Sequence, residues 1–258
     1  MVAVDVPHAL ALIRQFSEED YEVARASLRR DLTDQYVLER GHTIIGVTGA
    51  RPSAGTEDTW WLSWTYLAAA ERGQGLGQTM MLDLCARLAQ QGGRTLFVTT
   101  STMRDAAGER VYEAAIRAYQ RAGFVLEVEH PHYYAPEDGQ LVLSRRLRPL
   151  GPATGTLDGR GLCLTTMEEI VETDDAWAID WRFAEPGEAP DDHAAVAARV
   201  MTLRAQGARV VFVGLPSDAP QAEIPFRLAG FRPEGRLSDF YEDGVHEHRF
   251  RLDLPPLR

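Results

Sequence analysis

The chain has 258 residues, 45% hydrophobic and 25% charged, which is room for two ordinary globular domains. Its net charge of −11 excludes nonspecific nucleic-acid binding and fits a cationic partner. No apolar run approaches the roughly 20 residues of a membrane span, Met1 to Phe16 shows no secretory pattern, and Cys85 and Cys163 are too few for a disulfide framework, so a soluble cytoplasmic protein is expected. Lys and Asn are both absent, a joint loss that points to a GC-rich genome avoiding AA-rich codons.

In chain order, Ala9 to Phe16 reads as a first strand. Ser17 caps a helix running to about Arg30, with Asp20 completing a capping-box-like pair. Tyr36 to Glu39 and Thr43 to Thr48 are short strands joined through Arg40-Gly41-His42. Arg51 to Asp58 is a Pro/Gly-punctuated loop, and Thr59 to Leu67 is an aromatic strand. Met81, Leu84, Cys85 and Leu88 give Gln78 to Gln91 helical spacing. Arg94 to Thr99 is a buried strand, and Glu109 to Arg121 is a second amphipathic helix stopped by Gly123. Phe124 to Glu129 and Gln140 to Arg145 are strands around a long Pro-containing loop.

Residues 149–160 have linker composition, and the domain boundary is placed there, giving domains 1–150 and 151–258. The second half repeats the first. Arg121-Ala-Gly-Phe124 recurs as Leu228-Ala-Gly-Phe231, each followed by a strand, an aromatic loop and a final strand. Ala89 to Arg94 with Phe97-Val98 parallels Ala205 to Arg209 with Phe212-Val213, and Trp61-Leu-Ser-Trp64 parallels Trp177 to Trp181. Several anchors in one order imply two copies of one fold, the second shorter at its start.

The chemistry concentrates at Leu67 to Met81, where a strand, a Gly-rich turn and a helix follow one another. Gly73, Gly75 and Gly77 remove side chains where a ligand would approach the backbone. Amide N–H groups at the helix start favour a diphosphate, and Arg72 adds a full positive charge. A Walker loop would need Lys, and a dinucleotide fingerprint would need Gly-x-Gly-x-x-Gly after the first strand. Here the spacing is Gly-x-Gly-x-Gly with several elements before it.

Arg72, Gly75 and Gly77 resemble the acetyl-CoA motif of the GNAT N-acetyltransferase superfamily, and Tyr119 four residues before Gly123-Phe124 resembles its second signature. The resemblance implies an α/β (α+β) fold of two GNAT-like domains, each a mixed, mostly antiparallel sheet flanked by helices. It implies acetyl-CoA as co-substrate, held by Thr65, Leu67, Arg72, Gly73, Gln74, Gly75, Leu76, Gly77, Gln78 and Tyr112. Tyr112 stands where the family often has Asn, so that side chain's cofactor contact is replaced or lost. A backbone N–H near Thr65 to Leu67 is expected to meet the oxyanion, and Tyr119, with a reference pKa of about 10, to donate a proton to the departing thiolate.

Acceptor contacts are read at Glu39, Ser63, His132 and Tyr134, with His130 and Asp138 as further candidates for a base, and no metal site is expected. In the second copy Glu188 to His193 replaces the Gly-rich loop and Phe226 replaces the tyrosine, so that copy is expected not to bind acetyl-CoA. The leading function is acetyl transfer to a primary amine of a small molecule. Peptide or protein acetylation and a non-catalytic acyl-CoA-binding regulator are the alternatives. No nucleic acid or membrane partner is expected. The chain is read as a monomer whose halves form a pseudo-dimer, with a homodimer as the other option.

Overall fold

A computed structural model describes residues 1–151 and 161–255; the linker read at 149–160 lies outside them from residue 152 on. The chain divides into two compact units. The first comprises Met1–Thr100, Tyr112–Val125 and Leu143–Pro149; the second comprises Ser101–Val111, Leu126–Val142 and Leu150–Arg258. Segments 101–111 and 126–142 therefore count with the second unit, although they precede residue 150.

The first unit opens with two helices, α1 (Val6–Arg14) and α2 (Glu18–Arg30). The strand expected over 9–16 is thus a helix. Pro7 occupies its first turn, where a missing N–H costs nothing. Its buried residues Ala9, Leu10, Leu12 and Ile13 fall on one helical stripe and pack with Ala24, Leu28 and Val47. A short apolar run does not discriminate helix from strand; that packed stripe does. Ser17 caps α2 as expected, its hydroxyl accepting from the Asp20 N–H at 3.0 Å.

Strands β1 (Gln35–Arg40), β2 (Thr43–Pro52), β3 (Thr59–Leu62) and β4 (Tyr66–Leu67) follow. Helix α3 (Leu76–Gln90), strand β5 (Thr95–Ser101) and helix α4 (Glu113–Arg121) come next, then strands β6 (Val125–Ala135) and β7 (Asp138–Arg146). The sheet order is β1-β2-β3-β5-β7-β6, with β4 paired to β2. Three expectations change. The strand read over Thr59 to Leu67 is broken, and α4 begins at Glu113 rather than Glu109. The long loop expected after Glu129 is instead strand: β6 runs on to Ala135 and turns tightly into β7, so His132, Tyr133 and Tyr134 are strand residues.

The second unit adds β8 (Leu162–Glu169), β9 (Ala176–Phe183), helix α5 (His193–Ala205), β10 (Val210–Pro216), helix α6 (Pro220–Leu228), β11 (Arg232–Glu242) and β12 (Val245–Asp253). Its sheet order is β8-β9-β10-β12-β11. Substituting β2, β3, β5, β7 and β6 reproduces the order of the first sheet, and α5 and α6 fall where α3 and α4 fall. A parallel step also coincides: β3 pairs β5 through Thr59↔Thr95 to Trp61↔Phe97, and β9 pairs β10 through Ala176↔Val210 to Ala178↔Phe212. The register makes Trp60 the counterpart of Trp177, one residue from the expected Trp61. Leu203, Val211, Val213, Leu215, Phe226 and Phe250 fill the core of this copy.

Candidate active site

The first unit carries an opened strand. Leu62 lies opposite Ala50 and Tyr66 opposite Val47, so the three residues 63–65 face the two residues 48–49. One extra residue makes a bulge. Ser63 N still donates to Gly49 O at 2.9 Å, and the Thr48 and Thr65 hydroxyls meet at 3.0 Å. Beyond Trp61↔Phe97, β3 and β5 have no further ladder pair, and β4 pairs only with β2. Ala68 N donates to Ile45 O at 2.8 Å. Alternation in an antiparallel ladder then turns the N–H and C=O of Leu67, opposite Gly46, away from β2. The strand end therefore presents a backbone donor where the sheet has parted.

Six residues further on, Gly73 and Gly75 take φ of +75° and +79°, a region that L side chains rarely occupy. Gly75 is the N-cap of α3, with no side-chain cap, and the first helical bond runs from Thr79 N to Gly75 O. The N–H groups of Gly75, Leu76, Gly77 and Gln78 are thus those that a helix leaves without an internal partner. A Cβ at residue 73, 75 or 77 would meet no atom within 4 Å, so this end of the helix borders open space. An anion such as a diphosphate fits that cradle: donors converge, the helix dipole is favourable, and no side chain intrudes. Arg72 stands beside it, Nε donating to Leu67 O at 3.3 Å. Gln74 Nε2 reaches Ala70 O, and Gln78 Nε2 reaches Arg121 O, each at 3.3 Å.

Tyr119 lies on α4, its ring 5.8 Å from that of Phe124. Burial pushes its pKa up to about 12, so the phenol keeps its proton at neutral pH. Tyr112 caps the same helix and is exposed. Tyr66 is a residue whose part the sequence reading left open. Its hydroxyl donates to the Asp20 carboxylate, and burial, that carboxylate and the nearby Tyr112 and Tyr119 phenols all raise its pKa. Nothing in the spacing of Asp20 and Tyr66 foretells this pair, since they belong to elements 46 residues apart.

Of the acceptor-side candidates, Glu39 is exposed on β1, and the Ser63 hydroxyl donates to Gln35 Oε1 at 2.9 Å. His132 and Tyr134 belong to the second unit. His132 takes φ of +57° and its Nδ1 meets Pro136 O, while the Tyr134 hydroxyl accepts from Gln140 Nε2 at 3.2 Å. His130 is 1% exposed against Glu234, and Asp138 accepts from the Ser101 hydroxyl at 2.6 Å.

The second copy differs at each of these points. Helix α5 is capped by Asp192, whose carboxylate accepts from Ala195 N at 3.1 Å. A fixed negative charge thus occupies the helix end that Gly75 leaves open. Where β9 and β10 part, Trp181 Nε1 donates to Gly214 O at 2.6 Å, so the indole spans the gap. Phe226 fills the place of Tyr119 and packs 5.4 Å from Phe231, without a hydroxyl to donate.

Residues 8–124 match the Acetyltransferase (GNAT) family, whose members use acetyl-CoA. Among solved structures, a GNAT-family acetyltransferase from Desulfovibrio desulfuricans is 23% identical, with a TM-score of 0.52 over 57% of this chain and 95% of that one. The aminoglycoside 6′-N-acetyltransferase from Enterococcus faecium is 16% identical, with a TM-score of 0.50 over 58% of this chain and 95% of that one. At these identities the likeness is one of fold. No curated protein sequence matches the chain. Among the described residues, no helix is long and apolar enough to cross a membrane.

Proposed function

We propose that residues 8–124, which match the GNAT acetyltransferase family, transfer an acetyl group from acetyl-CoA to a primary amine of a small molecule, by direct attack in a ternary complex. The observation that carries this reading is the uncapped, glycine-opened start of α3, joined by a short turn to a strand end whose amide faces away from its ladder. Acetyl-CoA, when bound, supplies the acetyl group as a reactive thioester. Arg72 and the N–H groups of residues 75–78 hold the diphosphate end. The Leu67 N–H, turned away from β2, would donate to an acyl oxygen as it gains negative charge, and donors of this kind lower the barrier to acyl transfer. Tyr119 holds its phenolic proton and donates it to the departing sulfur. We further propose that residues 151–258 form a copy that does not take the cofactor, since Asp192 puts a carboxylate at the start of α5 and the Trp181 indole is bonded across the parting of β9 and β10.

Calorimetric titration of the full chain with acetyl-CoA is expected to give one site per chain; a stoichiometry of two would contradict the reading of the second copy. Gly75→Asp places a carboxylate against the diphosphate and a Cβ at φ +79°, and is expected to weaken binding more than about tenfold. Unchanged affinity in that variant would remove the cradle from the cofactor site. In a turnover assay, thiol release should depend on a primary amine. Release with no member of a panel of small amines and peptides would count against acyl transfer itself.

A further inference from the structure

The guanidinium of Arg72 lies 4.3 Å from the centre of the Phe16 ring. Phe16 in turn stacks on Tyr66, with ring centres 5.3 Å apart and planes 29° from parallel. Tyr66 is fixed at its far end by Asp20, and the Asp20 N–H is bonded to Ser17, the residue after Phe16. The four side chains form one continuous stack from α2 to the Gly-rich turn. Arg72 is held at two points, the ring face and the Leu67 carbonyl through Nε. No described ion pair engages its Nη atoms. The neighbouring acid, Glu71, is taken up by Arg40 at 2.5 Å. A long, flexible cation is thereby ordered without being neutralised. Phe16 itself stands 36% exposed at the junction of α1 and α2.

We propose that Phe16 is a positioning residue for the cofactor: its ring face, locked by the Tyr66–Asp20 pair, aims the Arg72 guanidinium at the diphosphate of acyl-CoA. The proposal rests on the reading of residues 72–77 as the diphosphate cradle. It makes the turn between α1 and α2 part of the donor site, and it makes discrimination between diphosphate-bearing donors and simple acyl-pantetheines depend on a residue with no hydrogen-bonding group.

The test is calorimetric binding of CoA and of pantetheine, which lacks the diphosphate, to the full chain. Phe16→Leu keeps apolar bulk but removes the ring face. It is expected to weaken CoA about threefold to tenfold, the scale of a cation–π contact, and to leave pantetheine unchanged. In an Arg72→Ala background the same substitution is expected to have no further effect on CoA. Phe16→Tyr keeps the ring and is expected to bind CoA like the parent. Equal weakening of both ligands, a full additional loss in the Arg72→Ala background, or a loss in Phe16→Tyr matching that in Phe16→Leu would each overturn the proposal. CoA affinity that responds to Gly75→Asp but not to Phe16→Leu would overturn it while leaving the cradle standing; affinity that responds to neither would overturn both.

Discussion

Tyr119→Phe is expected to lower kcat by about 10²–10⁴-fold, the range of general acid catalysis, while leaving the KM for acetyl-CoA nearly unchanged. The substitution removes one hydroxyl and little else. Tyr119 meets Phe124 through its ring, at 5.8 Å, and a phenylalanine can make the same contact. The second copy shows as much, because Phe226 meets Phe231 in the equivalent place at 5.4 Å. The melting temperature of the variant should therefore stay close to that of the parent. The pH dependence follows from burial. With its pKa pushed up to about 12, Tyr119 remains protonated through neutral and mildly alkaline pH and loses its proton only as pH approaches that value. Any fall in kcat between about pH 8 and 10 must then come from another group, and it should persist in Tyr119→Phe. Equal turnover in the two proteins would leave Tyr119 a packing residue.

A chain ending at Leu150 is expected to aggregate, or to melt more than about 10 °C below the full-length protein. The hairpin over 126–142 belongs to the second compact unit, and truncation strips it of its surroundings. Arg209 donates to the carbonyls of His132 and Tyr133 at 2.7 and 3.1 Å, and Asp174 N donates to Tyr134 O at 2.7 Å. Arg251 donates to Pro131 O, and Ser238 N to Glu127 Oε2. Tyr133 lies 4.8 Å from Phe212, and His130 5.7 Å from it. The hydrogen bonds can be replaced by water, but the apolar contacts cannot. Exposing the apolar side chains of Val128 and Tyr133 forfeits on the order of 1.5–3 kcal/mol for each. At roughly 2–4 °C per kcal/mol for a domain of this size, that sum spans the expected shift. Light scattering and thermal melting of the truncated chain give the answer. A soluble monomer with the parent's melting temperature and activity would show that the second copy is dispensable for the fold.

What was legible in the sequence was local or repeated. The side-chain-free turn at Gly73, Gly75 and Gly77, the Ser17 cap and the helical spacing after residue 76 depend on a few neighbouring residues, so the sequence determined them alone. The duplication was legible because motifs recur in order, and the shared strand order bears it out. The tertiary structure decided what depends on residues far apart in the chain. The apolar run from Ala9 became a helix because its stripe meets Ala24, Leu28 and Val47. The segment expected as a loop around His132 became strand because its carbonyls and rings find Arg209, Arg251 and Phe212. The sequence sets Trp64 in parallel with Trp181, yet only the path of β10 shows that the Trp181 indole spans the gap. The loss of the Gly-rich loop at Glu188 to His193 was legible, but the part of Asp192 as a helix cap required the backbone. The stack from Asp20 through Tyr66 and Phe16 to Arg72 follows the same rule. No spacing announces it, because a ring face is a partner only once folding brings a cation to it.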